Sequence, residues 1–217
     1  MIKPQIGTAL RLWMKEGLGI LDKFEKEGWN LSIENVTRIL NEAFWIYDIF
    51  FEFEENPIND NTRKYVECGL FKEDSTIFLY LRKEFLSFLH KLRIKKDCMV
   101  RWMDFSRNRF LVEYVQVLSH ELLHRKQWQL GMIYDSRSST HPDISMEEYL
   151  SFYTEIQALA QDTAFGLLYC KSLSDQVYYI NEYKRYFGSS HPVFKKFMKT
   201  VHTFLEMMSK DRNGHLS

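Results

Sequence analysis

The stretch from Val117 to Gln127, Val-Leu-Ser-His-Glu-Leu-Leu-His-Arg-Lys-Gln, constrains the fold more than any other. His120 and His124 are four residues apart, so a helix sets their imidazoles one turn apart on one face, where both reach a single metal ion. Glu121, beside the first histidine, then sits where the carboxylate of a zinc hydrolase takes a proton from the attacking water. The pattern requires a helix, and residues 110–130 supply one. They contain no Pro or Gly, space Leu111, Val115, Leu118 and Leu122 by three and four, and are followed by Gly131 as a stop. Val117, Leu118, Leu122 and Leu123 surround the two histidines with apolar groups, and a dry surrounding strengthens electrostatics at a metal.

Two histidines need a third donor, because a catalytic zinc site commonly takes three protein ligands and leaves a fourth position for water. Glu155, Glu147, Glu148, His141 and Asp143 are the candidates. Glu155 is favoured. It falls in the middle of a helix expected over 146–169, which a loop of about fourteen residues can fold back against the first helix. Ala158 and Ala160 permit close helix approach, and Asp162, seven residues on, shares the face of Glu155 and can orient a ligating histidine. Glu147 and Glu148 fall in the first helical turn, where carboxylates ordinarily answer the helix dipole. Gln127, three residues after His124 and seven after His120, lies on the metal face, where its amide can bind substrate backbone or orient a ligand, the alternative being an ordinary solvent-facing polar residue. Tyr134, Arg137, His141 and Tyr153 are the available donors to a developing oxyanion. His191 and His202 are read as turn or surface residues, and His215 as part of a frayed tail.

These residues carry a family resemblance. His120-Glu121-Leu122-Leu123-His124-Arg125-Lys126-Gln127, then Glu148-Tyr149-Leu150-Ser151, then Glu155-Ile156-Gln157-Ala158-Leu159-Ala160-Gln161-Asp162, resembles small gluzincin-type zinc metallopeptidase proteins, particularly those encoded by tailed bacteriophages. It is distantly similar to the ImmA/IrrE-type peptidases, whose ligand Glu is followed three residues later by Ala, as Glu155 is by Ala158. The resemblance covers roughly residues 98–170. It implies a zincin-like core, Zn2+ held by His120, His124 and Glu155, Glu121 as general base, and a peptide or protein substrate, with a phage or host protein as a possible partner. One position departs from the pattern. The thermolysin-like branch places an Asp four residues after the ligand Glu, where this chain has Leu159.

The rest of the chain reads as a mainly α protein, α+β with a small sheet, its core flanked by N- and C-terminal helices. With 217 residues, 45% hydrophobic, it can bury a sizeable core. Residues 1–97 form a mainly helical region, 98–170 the metal-site core, and 171–217 a C-terminal helical pair with a frayed tail from 211. Helices are expected over 8–27, over 32–54 from an N-cap at Ser32, over 74–94, over 174–187 and over 192–209. The aromatic run Phe44, Trp45, Tyr47, Phe50, Phe51 and Phe53 has core spacing. Residues 64–71 and 98–105 are strand candidates, the second placed where zinc hydrolases often have a strand that an extended substrate joins.

Charge and cysteine usage narrow the function. Lys and Arg balance Asp and Glu at 29 each, against a general nucleic-acid or membrane-surface binder. Cys68, Cys98 and Cys170 form no Cys-x-x-Cys pair, so reduced cysteines and a sulfur-free metal site are expected. The N-terminus has no continuous apolar region before a small-residue cleavage site, and no stretch approaches a membrane span, so the location expected is the cytoplasm, of the host if the chain is phage-encoded, with virion association as an alternative. Two functions follow: a zinc-dependent peptidase, or a non-catalytic structural or interaction protein, for example a phage particle component or regulator, that retains the fold. A Glu155 more than about 4 Å from the two histidines would favour the second.

Overall fold

A computed structural model describes residues 2–54, 63–72, 75–95, 97–105, 107–132, 144–170 and 173–214. The chain forms two compact units, Ile6–Glu121 and Met1–Gln5 with Leu122–Ser217, and the division falls inside one helix. The architecture is mainly helical with a small three-stranded mixed sheet. Among the described residues, no helix is long and apolar enough to cross a membrane.

The unit Ile6–Glu121 begins with α1 (Ile6–Lys26) and α2 (Ile33–Phe44), the latter capped by Ser32, whose hydroxyl accepts from the Asn35 N–H at 3.2 Å. The helix expected to continue to residue 54 stops at Phe44. A 3-10 turn, Trp45–Tyr47, and a left-handed Asp48 (φ 55°) redirect the chain into β1 (Ile49–Phe53). The Asn41 side chain meets the Phe51 backbone in both directions, accepting from its N–H at 2.6 Å and donating to its carbonyl at 3.2 Å. The three-and-four spacing that suggested helix also admits the inward alternation of Ile49 and Phe51, and strand pairing decides between the two. The aromatic run divides accordingly: Phe44 and Phe51 are fully buried, whereas Trp45 is 61% exposed.

The sheet continues with β2 (Val66–Phe71) and β3 (Ile77–Leu81), in the order β1-β3-β2, with β1 parallel and β2 antiparallel to the central β3. Residues 77–81 were expected in a helix. Ile77, Leu79 and Leu81 instead face inward from a strand paired on both sides, and the helix α3 starts only at Glu84, running to Arg93. Conversely, the strand expected over 98–105 is the helix α4 (Cys98–Met103). Met99 and Val100 are exposed there, so the alternation has no face to bury, and Trp102 alone enters the core.

Trp102 fixes α4 to α1. Its Nε1 donates to the Gly17 carbonyl at 2.5 Å, and Trp13 Nε1 donates to the Trp102 carbonyl at 3.3 Å. A Cβ at Gly17 would lie 3.0 Å from Trp13 Nε1 and 3.1 Å from Met103 Sδ, so this mid-helix glycine permits the approach. Trp13 sits 4.7 Å from the Trp102 ring, 5.2 Å from Phe110 and 4.9 Å from Tyr114, the last two on α5 (Arg109–Gln129). The long helix expected from the His-Glu-x-x-His segment is thus present and rooted in an aromatic core, and it ends before Gly131 at φ 67°.

In the unit Leu122–Ser217, the helix expected over 146–169 is broken. Phe152 takes extended backbone (φ −60°, ψ 134°) between α6 (Met146–Ser151) and α7 (Tyr153–Tyr169). Every residue from Thr154 to Gly166 is buried, as befits a helix that α8 (Leu173–Phe187) and α9 (Pro192–Gly214) pack against. Tyr183 of α8 stacks on Phe197 of α9 at 3.9 Å and donates to the Leu150 carbonyl at 2.9 Å. Burial raises the Tyr183 hydroxyl well above the usual phenol range. Helix α9 continues to Gly214, through most of the tail expected to fray, and His215 lies outside the described residues.

The start of β2 hangs on one side chain of α5. Glu113, 5% exposed, accepts from the backbone N–H groups of Lys64 (2.8 Å), Tyr65 (2.6 Å) and Val66 (3.1 Å) and from Arg109 Nε (2.8 Å). Hydrogen bonds to a buried charge are the strong ones, and removing their acceptor leaves three donors without it. Glu113→Ala is expected to lower unfolding free energy by about 3 kcal/mol in urea titration. Arg109→Ala removes only a half-exposed partner and is expected to cost less than about 1 kcal/mol in the same titration.

Candidate metal centre

His120 and His124 leave α5 one turn apart, and Glu155 leaves the first turn of α7. One ligand atom from each of the three lies within 4.8 Å of the others, a group that can hold a metal ion. His124 and Glu155 are 3% and 4% exposed, and His120 is half-buried. His124 Nε2 stands 3.4 Å from Glu155 Oε1.

The remaining atoms of these two residues are held from behind. His124 Nδ1 lies 2.8 Å from Gln127 Oε1. The Gln127 Nε2 donates to the Thr154 carbonyl at 3.1 Å and to Gln157 Oε1 at 3.0 Å, so its oxygen is the end left to face the histidine. In that orientation Nδ1 donates to Gln127, and Nε2 is the ring nitrogen that faces Glu155 Oε1. On the other side, the Tyr149 hydroxyl donates to Glu155 Oε2 at 2.7 Å, leaving Oε1 for the shared space. Gln127, which the sequence leaves open as an orienting amide, a substrate-binding amide or a solvent-facing residue, is buried and hydrogen-bonded to His124.

Tyr149 and Gln157 were not foreseen. On one continuous helix, six residues turn by about 240° beyond a full circle, which would put Tyr149 and Glu155 on different faces. The break at Phe152 brings them together, and nothing in Leu150-Ser151-Phe152 announces it. Gln157 left a weak signal, a polar residue amid Ile156, Ala158 and Leu159, two positions after the candidate ligand.

The other sequence candidates are distributed as follows. Glu121 is 6% exposed and lies on α5 against β2. Asp162 is buried on α7, but it is Gln127 that meets His124 Nδ1. Glu147 and Glu148 are exposed in the first turn of α6, where Ser145 accepts from the Glu148 N–H at 3.1 Å. Tyr153 is 44% exposed, its hydroxyl accepting from Gln157 Nε2 at 2.9 Å with Lys196 over its ring at 4.4 Å. Tyr134, Arg137, His141 and Asp143 lie outside the described residues.

All three cysteines are free and half-buried. Burial pushes the Cys68 thiol up to about 11, with the charges of Glu67 and Glu121 adding to the shift and Arg63 opposing it. Its neutral thiol is a poor nucleophile at physiological pH. Alkylation of Cys68 by iodoacetamide at pH 8, followed by peptide mass mapping, is expected to run about two orders of magnitude slower than that of an unperturbed thiol.

Residues that hold a ligating side chain from behind set metal affinity. Gln127→Ala is expected to weaken metal binding by about 10–100-fold in a chelator competition, because it frees the His124 ring and its tautomer. Comparison of the chain with protein-family models, with curated proteins and with solved structures found no match.

Proposed function

We propose that this protein is a zinc-dependent metallopeptidase, with His120, His124 and Glu155 as ligands and Glu121 as general base. The observation that carries the reading is the 3.4 Å approach of His124 Nε2 to Glu155 Oε1 while the Nδ1 proton is committed to Gln127. A ring nitrogen of the half-buried His120 lies within 4.8 Å of both, which completes a three-ligand arrangement. Donors at 2.0–2.1 Å from a tetrahedral ion stand about 3.3 Å apart, which matches the spacing here. Two imidazoles and one carboxylate, without sulfur, are a donor set of catalytic zinc enzymes.

When bound, zinc polarises the scissile carbonyl and makes a water acidic enough to attack at neutral pH. Glu121 takes the proton of the attacking water and passes it to the leaving amine. Gln127 and Tyr149 keep His124 and Glu155 aimed at the ion through the cycle. A peptide is the substrate class favoured by β2, which lies at the sheet edge and pairs, among the described residues, with β3 alone. An extended chain can join such an edge through its own backbone.

Elemental analysis of protein purified without chelator is expected to give about one zinc per chain, the stoichiometry of a single three-ligand site. Glu121→Gln is expected to retain that zinc and to lose hydrolysis of a fluorogenic peptide library by about 10²–10⁴-fold. Metal-free protein, or a Glu121→Gln variant with parental turnover, would end the proposal.

A further inference from the structure

Glu121 rests on the one residue of β2 that has no side chain. A Cβ built on Gly69 would lie 2.5 Å from Glu121 Cγ, 2.7 Å from its Oε1 and 2.9 Å from its Cδ. Real carbon atoms do not approach so closely, so the Glu121 side chain occupies the space that any other residue at position 69 would fill. We propose that Gly69 is a positioning residue for Glu121, its missing side chain forming the seat of the carboxylate. The functional consequence rests on the reading of Glu121 as the general base.

The strand is built to bring Gly69, and not its neighbour, to this place. Val66 pairs with Leu81, but Cys68 pairs with Tyr80 and Gly69 with Leu79, so Glu67 is an extra residue in β2, a bulge. Without it the register would carry through unchanged and Cys68 would stand opposite Leu79, turned to the face that Gly69 now presents. The bulge is pinned: Glu67 is 1% exposed and its Oε2 lies 2.6 Å from Arg82 Nε. Upstream, the Glu113 carboxylate fixes the strand through three N–H groups. Glu113 and Glu121 lie eight residues apart on α5, about 12 Å of helix, and Val66 to Gly69 spans about 10 Å of strand. One helix therefore holds the strand at Glu113 and meets its glycine at Glu121, and the bulge sets which residue arrives.

The obstruction made by Gly69→Ala falls on the side chain of Glu121, so the carboxylate swings away while the strand stays. A double-mutant cycle reads this without any substrate. In the full chain, Gly69→Ala is expected to lower the melting temperature. In the Glu121→Ala background the obstruction is gone and alanine suits a strand better than glycine, so the same substitution is expected to raise it by about 2 °C. A change of the same sign and size in both backgrounds would overturn the proposal.

The second readout is calorimetric binding of acetohydroxamate to the zinc-loaded protein, a small chelator whose hydroxyl proton needs an acceptor beside the metal. Affinity is expected to fall about tenfold in Gly69→Ala and in Glu121→Ala, with no further fall in the double variant, while zinc content stays parental. Parental affinity in Gly69→Ala would overturn the positioning role. A parent protein that holds no zinc would remove the catalytic reading instead, and the thermal cycle would still decide whether Gly69 seats Glu121.

Discussion

The hydrogen bond from His124 Nδ1 to Gln127 Oε1 is the constraint on which the candidate centre depends. A polar atom taken out of water costs free energy unless it has a partner, and Gln127 is wholly buried. Its amide nitrogen is saturated by the Thr154 carbonyl and by Gln157, which fixes its orientation, and that orientation fixes the histidine tautomer. His124 Nε2 and Glu155 Oε1 face one another at 3.4 Å. The chain of bonds runs on through Gln157 to the Tyr153 hydroxyl at a groove of about 550 Å³. Buried networks of this kind are rigid when every member is satisfied.

Helix α5 acts as a ruler as well as a ligand carrier. One turn presents Tyr114 to the aromatic core and Glu113 to the start of β2, and about two turns on Glu121 meets Gly69. All three contacts belong to the unit Ile6–Glu121, which thereby sets where the proposed base lies along the helix. The same helix continues as Leu122–Gln129, where it carries His124 and Gln127.

How much of this the sequence disclosed depended on the range of the interactions involved. His120, His124 and Glu155 were legible because helix geometry relates the first two and an apolar surrounding singled out the third. Ser32 and Gly131 were legible as local backbone chemistry. The strands β1 and β3 were not: Ile49 to Phe53 and Ile77 to Leu81 satisfy helical and strand periods alike over five residues, and only pairing with distant strands decides. Tyr149 was hidden by a helix break without a marker residue, and Gly69 by a bulge that exists only relative to β3. Each miss needed a partner far away in sequence.

The buried polar content of α7 argues that its composition answers to more than packing. Thr154, Glu155, Gln157, Gln161, Asp162 and Thr163 are all buried in a helix that α8 and α9 enclose. Apolar residues of similar volume would fill the same space without desolvating a carboxylate, and replacements of that kind commonly stabilise a protein. Glu155 has the Tyr149 hydroxyl on one oxygen, and the other faces His124 Nε2 at 3.4 Å in a group that can hold a metal ion. An ion that binds such an arrangement and not the unfolded chain adds its binding free energy to folding, so a bound metal would offset the desolvation of Glu155.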